Sequence, residues 1–133
     1  METTTDDKKG KKKVLIVEDE MSLRAPLGSL LRSEGYEVLE AVNGEEGLEK
    51  AMKEHPDVIL LDVFMPKMTG LEMLAELRKD EWGKSAKVML LTNSANSENV
   101  ASALEGNVTD YLVKAEWDLA DIVKKVKTKL ALP

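Results

Sequence analysis

The sequence predicts an α/β fold in which a five-stranded parallel sheet carries helices on both faces, doubly wound as (βα)5. Two observations lead to this fold. Short apolar runs, each too short for a buried helix, alternate with segments of helical periodicity along the chain. The run at residues 58–61 is apolar at every position, which is typical of a strand that is covered on both faces.

The composition fits one soluble domain. The chain has 133 residues, of which 43% are hydrophobic and 33% charged, and its net charge is −6. An acidic chain repels phosphate backbones, so we expect no nucleic-acid partner. The absence of cysteine excludes disulfides and thiolate metal sites and fits the cytoplasm, where we expect the protein to reside. No apolar run approaches the roughly 18 residues of a membrane span, so we expect no membrane partner.

Residues 1–12 are predicted to form a disordered polar N-terminal tail, and residues 13–132 are predicted to form a single domain. The tail contains a lysine cluster at residues 8–12. Such a cluster can alternatively bind nucleic acid or an anionic surface, but only one short cluster is present.

The first half of the domain is predicted to contain two strand and helix units. The apolar run at residues 13–17 is the first strand, and a helix follows from about Met21 to Glu34. The apolar stripe of this helix contains Leu23, Leu27, Leu30 and Leu31. Pro26 removes one backbone hydrogen bond beyond the first turn, so a kink or a later start is expected. A second strand covers residues 38–41, and Asn43 is expected to cap the next helix.

The central strand covers residues 58–62 and ends in a carboxylate. Beyond it, Thr69 and Glu72 have the spacing of a capping box, which predicts the start of a third helix that ends near Lys79. Residues 80–85 are predicted to be a loop.

The last part of the chain is predicted to add two strands and two helices. Residues 88–91 form a fourth buried strand, and residues 97–106 a helix whose serine and asparagine content predicts low intrinsic stability. Residues 111–113 form a short fifth strand. Asp118 is expected to cap the final helix.

Chemically active side chains follow the strands at the edge where their C-terminal ends meet, which is where open parallel sheets bind ligands. Three of these side chains are carboxylates, which repel one another at close range unless a cation lies among them. Oxygen ligands without His or Cys select a hard ion such as Mg2+, and a hydroxyl with an ammonium group completes a cradle for a phosphoryl group. The set comprises Glu18, Asp19, Asp62, Thr92 and Lys114.

Each of these residues is weak evidence when it is taken alone. A pair of acids after a strand is more often part of a turn, and a lone Thr or Lys at a strand end is usually structural or solvated. Their joint order along the strands is what favours a functional site.

In the order and spacing of these residues, the chain resembles the receiver domains of response regulators, of the chemotaxis-regulator type, from Lys13 to about Leu132. The resemblance implies a flavodoxin-like fold and a phosphorylation-dependent signalling switch of a two-component system. The matching residues are Glu18-Asp19, Asp62 with Met65-Pro66 and Gly70 after it, Thr92, and Tyr111-Leu112-Val113-Lys114.

The resemblance also implies a role for each matching residue. Asp62 would accept a phosphoryl group from a histidine kinase or a histidine phosphotransfer protein in the presence of Mg2+. The metal would be held by Glu18, Asp19, Asp62 and the main-chain carbonyl of Phe64. Lys114 would pair with the phosphoryl group, and Thr92 with Tyr111 would form the switch.

The implied output is the binding of a partner protein, in a single domain without a DNA-binding output. The sequence does not identify this partner. We expect it to bind the surface of the predicted fourth helix, fifth strand and final helix, here called the output face (residues 97–106, 111–113 and 118–130).

Three positions depart from the family pattern. Asn93 stands where a small residue is usual, so access to the phosphoryl group is expected to be tighter. Asn107 replaces a glycine after a helix, and asparagine tolerates the left-handed conformation needed there. Ala115 replaces a proline that often follows the lysine through a cis bond, and a cis bond before a residue other than proline costs about 3 kcal/mol. The conformation of the bond between Lys114 and Ala115 therefore stays open.

Two other functions compete with a signalling switch. A phosphohydrolase with an aspartyl-phosphate intermediate generally needs a second acid two residues after the nucleophile, where this chain has Phe64. We therefore expect no enzyme, with at most slow self-dephosphorylation. A receiver-like scaffold that is never phosphorylated is disfavoured by the intact acid set but kept open by Asn93 and Ala115.

Phe64 and Ser94 flank the phosphoryl group in the family pattern and are expected to set its lifetime. Hydrolysis needs an aligned water molecule, which a neighbouring amide or carboxylate can hold. Phe64 offers no such hydrogen bond, and Ser94 is short. A slowly hydrolysed acyl phosphate is therefore predicted.

The one histidine and the two tryptophans have other conceivable roles. His55 is a conceivable internal phosphate donor, but it precedes Pro56 at the opposite strand end and is predicted to be a solvated loop residue. Trp82 and Trp117 lie in predicted loops, where they are either anchors for a partner or, as we expect, partly buried.

Overall fold

A computed structural model describes residues 11–63, 65, 67–92, 110–113 and 118–131. The strands are β1 (Lys13–Val17), β2 (Glu37–Ala41), β3 (Val58–Asp62), β4 (Val88–Thr92) and β5 (Asp110–Val113). The α-helices of the described residues are α1 (Met21–Ser33), α2 (Gly44–Glu54), α3 (Gly70–Leu77) and α4 (Leu119–Ala131), and a 3-10 turn covers Gly83–Ser85. The predicted tail at residues 1–10 and the predicted helix at residues 97–106 lie outside the described residues.

The five strands form one parallel sheet in the order β2-β1-β3-β4-β5. This order confirms the predicted parallel α/β sheet and places β3 at its centre. In the register of β1 and β3, Val17 lies opposite Leu61, and in that of β3 and β4, Asp62 lies opposite Leu91. The C-terminal ends of the three central strands therefore meet at one edge.

Helices cover both faces of this sheet, because alternate residues of each strand point to opposite sides. On one face, Leu15 and Leu61 belong to a buried cluster that includes Met73 of α3. On the other face, Ile16 and Leu60 pack in a second cluster with Leu27 of α1 and with residues of α4. The four apolar residues of β3, Val58, Ile59, Leu60 and Leu61, are fully buried, as a strand covered on both faces requires.

Three helices begin at the capping residues that the sequence predicts. The Asn43 side chain accepts a hydrogen bond from the Glu46 N–H at 2.8 Å, and the Asp118 side chain accepts one from the Asp121 N–H at 2.9 Å. At the start of α3, the Thr69 hydroxyl and the Glu72 carboxylate each accept the main-chain N–H of the other residue, which is a complete capping box. Local sequence chemistry thus fixes where these helices begin.

Helix α1 departs from the expectation of a later start. It begins at Met21, and Pro26 lies inside it. The first turn forms upstream of the proline, because the Glu20 carbonyl accepts the N–H groups of Leu23 and Arg24 at 3.1 and 2.9 Å. Leu30 was predicted on the apolar stripe of this helix, but it is 39% exposed.

The predicted loop at residues 80–85 contains a 3-10 turn. The Asp80 carboxylate accepts a hydrogen bond from the Gly83 N–H at 2.9 Å and so begins the turn. The guanidinium of Arg78 donates to the carbonyls of Gly83 and Ala86 at 2.6 and 2.8 Å, and burial lowers the pKa of Arg78. Helix α3 ends at Leu77, two residues before the predicted end.

His55 and Trp82 lie together at the edge of the sheet opposite the carboxyl ends of the strands. His55 ends α2 in the left-handed conformation, with φ of 48°. Its ring stacks on the indole of Trp82 with 4.2 Å between ring centres, and Trp82 is half-buried against the core. This confirms partial burial of Trp82 and shows that the exposed His55 packs on a neighbour, while Trp117 lies outside the described residues.

Within the described part of the chain, every helix is too short or too polar to cross a membrane.

Candidate functional site

Three carboxylates meet at the C-terminal edge of the sheet. Glu18 and Asp19 directly follow β1, and Asp62 ends the adjacent strand β3. One carboxylate oxygen from each residue lies within 4.8 Å of those of the other two. Since Val17 is paired with Leu61, the next residues of the two strands, Glu18 and Asp62, lie level with each other. The parallel register of β1 and β3 therefore brings the predicted acids together.

The three acids differ in their exposure to solvent. Glu18 is fully buried and Asp62 is 2% exposed, whereas Asp19 is exposed. Like charges repel more strongly in a buried site than in water, because the effective dielectric constant is lower. Asp19 is therefore the member of the cluster whose carboxylate is open to solvent.

Main-chain hydrogen bonds hold the segment that carries Glu18 and Asp19. The Glu18 N–H donates to the Ala41 carbonyl at 3.0 Å, which extends the pairing of β1 with β2 beyond the strand end. The Glu18 carboxylate in turn accepts the Glu20 N–H at 3.0 Å. Glu18 is therefore fixed at both its main chain and its side chain.

The segment that follows Asp62 packs closely against its surroundings at two glycines. The Gly70 N–H donates to the Val63 carbonyl at 2.9 Å, and a Cβ at Gly70 would lie 2.0 Å from the Asp62 carbonyl oxygen. The Gly44 N–H donates to the Met68 carbonyl at 3.0 Å, and a Cβ there would lie 2.4 Å from that oxygen. Both positions exclude a side chain, so the segment after Asp62 is braced against the starts of α2 and α3.

Two further predicted site residues lie in the neighbouring strands. Thr92 is the last residue of β4, one position beyond Leu91, which is paired with Asp62. Tyr111 lies in β5, paired with Leu90. These registers place the main chain of Thr92 at the edge that carries the acids. Phe64, Ser94 and Lys114, together with the departures Asn93, Asn107 and Ala115, lie outside the described residues.

The donor set fits a hard divalent cation. Its three groups are carboxylates, and oxygen ligands of this kind suit Mg2+, which keeps several water molecules when it is bound through a few protein groups. A cation among them would offset the repulsion between the buried charges of Glu18 and Asp62.

Sequence reasoning missed Arg24, whose guanidinium donates to the Glu18 carbonyl at 2.8 Å. Arg24 is buried in spite of its charge. The available signal was its spacing, since Arg24, Leu27 and Leu31 follow the helical period and lie on the buried face of α1.

Comparison with known proteins places this arrangement in a family. Residues 14–127 match the family described as the response regulator receiver domain. The chain belongs to this family.

Curated relatives of this receiver domain include regulators of transcription. One is a probable transcriptional regulator, ycf27, of Cyanophora paradoxa, 40% identical over 104 residues, which are 78% of this chain and 42% of the relative. Another is the alkaline phosphatase synthesis transcriptional regulatory protein PhoP of Bacillus subtilis, 38% identical over 103 residues, or 77% of this chain and 42% of the relative. The chain thus spans less than half the length of these relatives.

Solved structures resemble the receiver domain over nearly its whole length. Chemotaxis protein CheY4 of Vibrio cholerae is 34% identical, with a TM-score of 0.83 over 90% of this chain and 98% of that one. The receiver domain of sensor histidine kinase PA1611 from Pseudomonas aeruginosa, with a magnesium ion coordinated in its active-site cleft, is 25% identical. Its TM-score is 0.82 over 92% of this chain and 100% of that one. These similarities support the flavodoxin-like α/β fold.

The acid cluster predicts a magnesium affinity that depends on Asp19. Replacing Asp19 by Ala should weaken Mg2+ binding at least about tenfold, equivalent to about 1.4 kcal/mol, because one of three carboxylates is lost. Since Asp19 is exposed, the substitution should leave the fold intact. Calorimetric titration of both proteins with Mg2+ measures the effect.

The matched control is Glu37→Ala, which removes one exposed carboxylate at the start of β2, away from the cluster. It should bind Mg2+ as the unaltered protein does. Equal affinities in Asp19→Ala and the unaltered protein would exclude Asp19 as a ligand.

Proposed function

We propose that this receiver domain is a phosphorylation-dependent switch in which Asp62 accepts a phosphoryl group from a histidine kinase or a histidine phosphotransfer protein. The observation that supports this most is the buried carboxylate of Asp62 at the end of the central strand, with oxygens of Glu18 and Asp19 within 4.8 Å. Membership of the receiver family supports the proposal, since the matched residues 14–127 include Asp62.

In the proposed reaction, a carboxylate oxygen of Asp62 attacks phosphorus in line with the leaving imidazole. A new P–O bond forms while the P–N bond of the phosphohistidine breaks, and its electron pair passes to the imidazole nitrogen. The product is an acyl phosphate on Asp62 and a histidine on the donor. Glu18, Asp19, Asp62 and the Phe64 carbonyl would hold Mg2+. The bound ion would neutralise the charge of the phosphoryl oxygens.

The surroundings of the three acids favour Asp62 as the nucleophile. Glu18 already accepts the Glu20 N–H, which suits a fixed ligand better than an attacking group. Asp19 is exposed, so an acyl phosphate formed there would face bulk water. Asp62 is 2% exposed, and a buried acyl phosphate is better protected from hydrolysis. Lys114 is proposed to pair with the phosphoryl group.

Phosphorylation should depend on Asp62. Incubation with Mg2+ and a small phosphodonor should add one phosphate to the unaltered protein and none to Asp62→Asn, because the amide is not a nucleophile for phosphorus. The mass of the intact proteins records the result. Asp57→Asn is the matched control, since Asp57 lies at the opposite end of β3, where its carboxylate accepts the Lys13 N–H at 2.7 Å.

Asp57→Asn should take up phosphate as the unaltered protein does. Equal uptake by Asp62→Asn would show that Asp62 is not the phosphoacceptor, and an unaltered protein that takes up none would support a receiver-like scaffold instead.

We further propose that the domain is not an enzyme and that its phosphate is lost slowly. A phosphohydrolase of this kind generally uses a second acid two residues after the nucleophile, and Phe64 stands at that position. Phe64 cannot hydrogen-bond an attacking water, and the short Ser94 is not expected to reach it. In this proposal the phenyl ring would instead exclude solvent from the phosphoryl group.

The lifetime of the acyl phosphate should therefore shorten when Phe64 is replaced by Asn. An amide at this position can hold and orient water, and we expect about tenfold faster hydrolysis, equivalent to about 1.4 kcal/mol of barrier. Phosphate release from purified phosphoprotein in Mg2+ measures the rate. Phe64→Leu, which offers no hydrogen bond, is the control and should remain slow. A lifetime of seconds in the unaltered protein, or no acceleration in Phe64→Asn, would contradict this role of Phe64.

For the output, we propose that the phosphoryl group changes partner binding through the output face, with Thr92 and Tyr111 as the switch. The registers of β4 and β5 support this, since Thr92 is paired with Val113, two residues beyond Tyr111, so the switch residues lie on adjacent strands.

A second candidate is regulation of transcription as part of a longer protein. It is favoured by curated relatives that are transcriptional regulators and more than twice the length of the matched segment.

Both outputs require the phosphoryl group to alter the output face. Amide hydrogen exchange with and without a beryllium fluoride mimic of the phosphoryl group should change most between residues 94 and 114, because the switch is proposed to act there. Asp62→Asn treated with the same mimic is the control and should show no change. Differences confined to residues 62–70 would argue against a transmitted switch.

A further inference from the structure

Arg24 connects the acid-bearing segment to the neighbouring strand. Its side chain is about nine-tenths buried, and its Nη1 donates to the main-chain carbonyl of Glu18 at 2.8 Å and to that of Asp19 at 3.5 Å. Its Nε donates to the Glu40 carboxylate in β2 at 3.0 Å. One guanidinium therefore joins α1, β2 and the main chain of two metal-ligand candidates.

Glu40, the counter-charge of Arg24, is itself held in place. Its second carboxylate oxygen accepts from Arg32 at 3.0 Å, and its main-chain carbonyl accepts from Lys50. Gly28 leaves room for the Glu40 carboxylate, since a Cβ at position 28 would lie 3.1 Å from the Glu40 oxygen that binds Arg32. Side chains from α1 and α2 thus hold Glu40, the ion-pair partner of Arg24, in place.

We propose that Arg24 is a positioning residue for the metal site, which holds the main chain of Glu18 and Asp19 where their carboxylates meet that of Asp62. This inference rests on the proposed Mg2+ site. Arg24 acts through the main-chain carbonyls of Glu18 and Asp19, to which its guanidinium donates. The planar fork of arginine allows one side chain to serve the carbonyl and Glu40 together, which lysine cannot do in the same geometry.

Charge and geometry predict opposite effects when Arg24 is lost. Removing a positive charge beside three acids would by itself strengthen the binding of a cation. Releasing the Glu18 and Asp19 carbonyls would weaken it, because the ligands would no longer be held together. A weaker affinity after loss of the charge therefore identifies a positioning role.

The test uses Arg24→Met, which loses both charge and hydrogen bonds, and Arg24→Lys, which keeps the charge but not the fork. Calorimetric titration with Mg2+ should give a Kd about tenfold higher in both, the size typical of groups that orient metal ligands. Without metal, amide exchange at residues 18–20 should be faster in both variants. Lys127→Met is the control, because it removes a positive charge and an exposed ion pair with Glu34 that does not involve Glu40. It should keep both properties unchanged.

If Arg24→Met does not fold, Arg24→Lys and Glu40→Gln carry the test, with Glu40→Gln expected to raise the Kd less than Arg24→Lys. An unchanged or lower Kd in Arg24→Lys overturns the positioning role, whatever its exchange rates. A different result would contradict the proposed Mg2+ site itself: the unaltered protein and Asp19→Ala would bind Mg2+ with equal affinity.

Discussion

The repulsion between carboxylates at one buried edge of the sheet is the constraint on which the rest of this receiver domain depends. Glu18 and Asp62 are almost completely removed from water, and the oxygens of both lie within 4.8 Å of an oxygen of Asp19. Such a cluster opposes folding and has to be held together by the remainder of the structure. Strands β1 and β3 hold the cluster together, because Val14–Val17 of β1 and all of β3 are buried and the parallel register of the two strands fixes the positions of Glu18 and Asp62.

Close backbone approach is the second means by which the fold holds the site. At Gly44 and Gly70 the chain passes so near to carbonyl oxygens of Met68 and Asp62 that even a methyl group would displace the main chain. The segment after Asp62 is therefore positioned by atoms of the backbone, which have little freedom to adjust. A site built on such contacts can keep its ligands within the narrow geometry that a small, rigidly hydrated ion such as Mg2+ demands.

The sequence predicted those features that depend on local pattern. Buried strands follow from apolar runs, and the starts of α2, α3 and α4 follow from Asn43, Thr69 and Asp118, since each cap is made within four residues. Features that depend on distant partners escaped prediction. Arg24 finds Glu40, sixteen residues away, and His55 stacks on Trp82, so neither contact has a local signature. The later start that Pro26 suggested was wrong, because a proline deprives only the carbonyl four residues earlier of its partner and the preceding turn keeps its own hydrogen bonds.

The two sides of the acid cluster are held by different interactions. On the side of β1 and β2, Arg24, Arg32 and Lys50 all bind Glu40, and Arg24 in turn binds the main chain of Glu18, so this side is tied by several partners at once. On the other side, Asp62 is paired through Leu91 with β4, whose last residue is Thr92. A phosphoryl group on Asp62 would add negative charge between these two sides. The proposed switch would pass this change from Asp62 to β4, its partner in the sheet, and then to β5, which belongs to the output face.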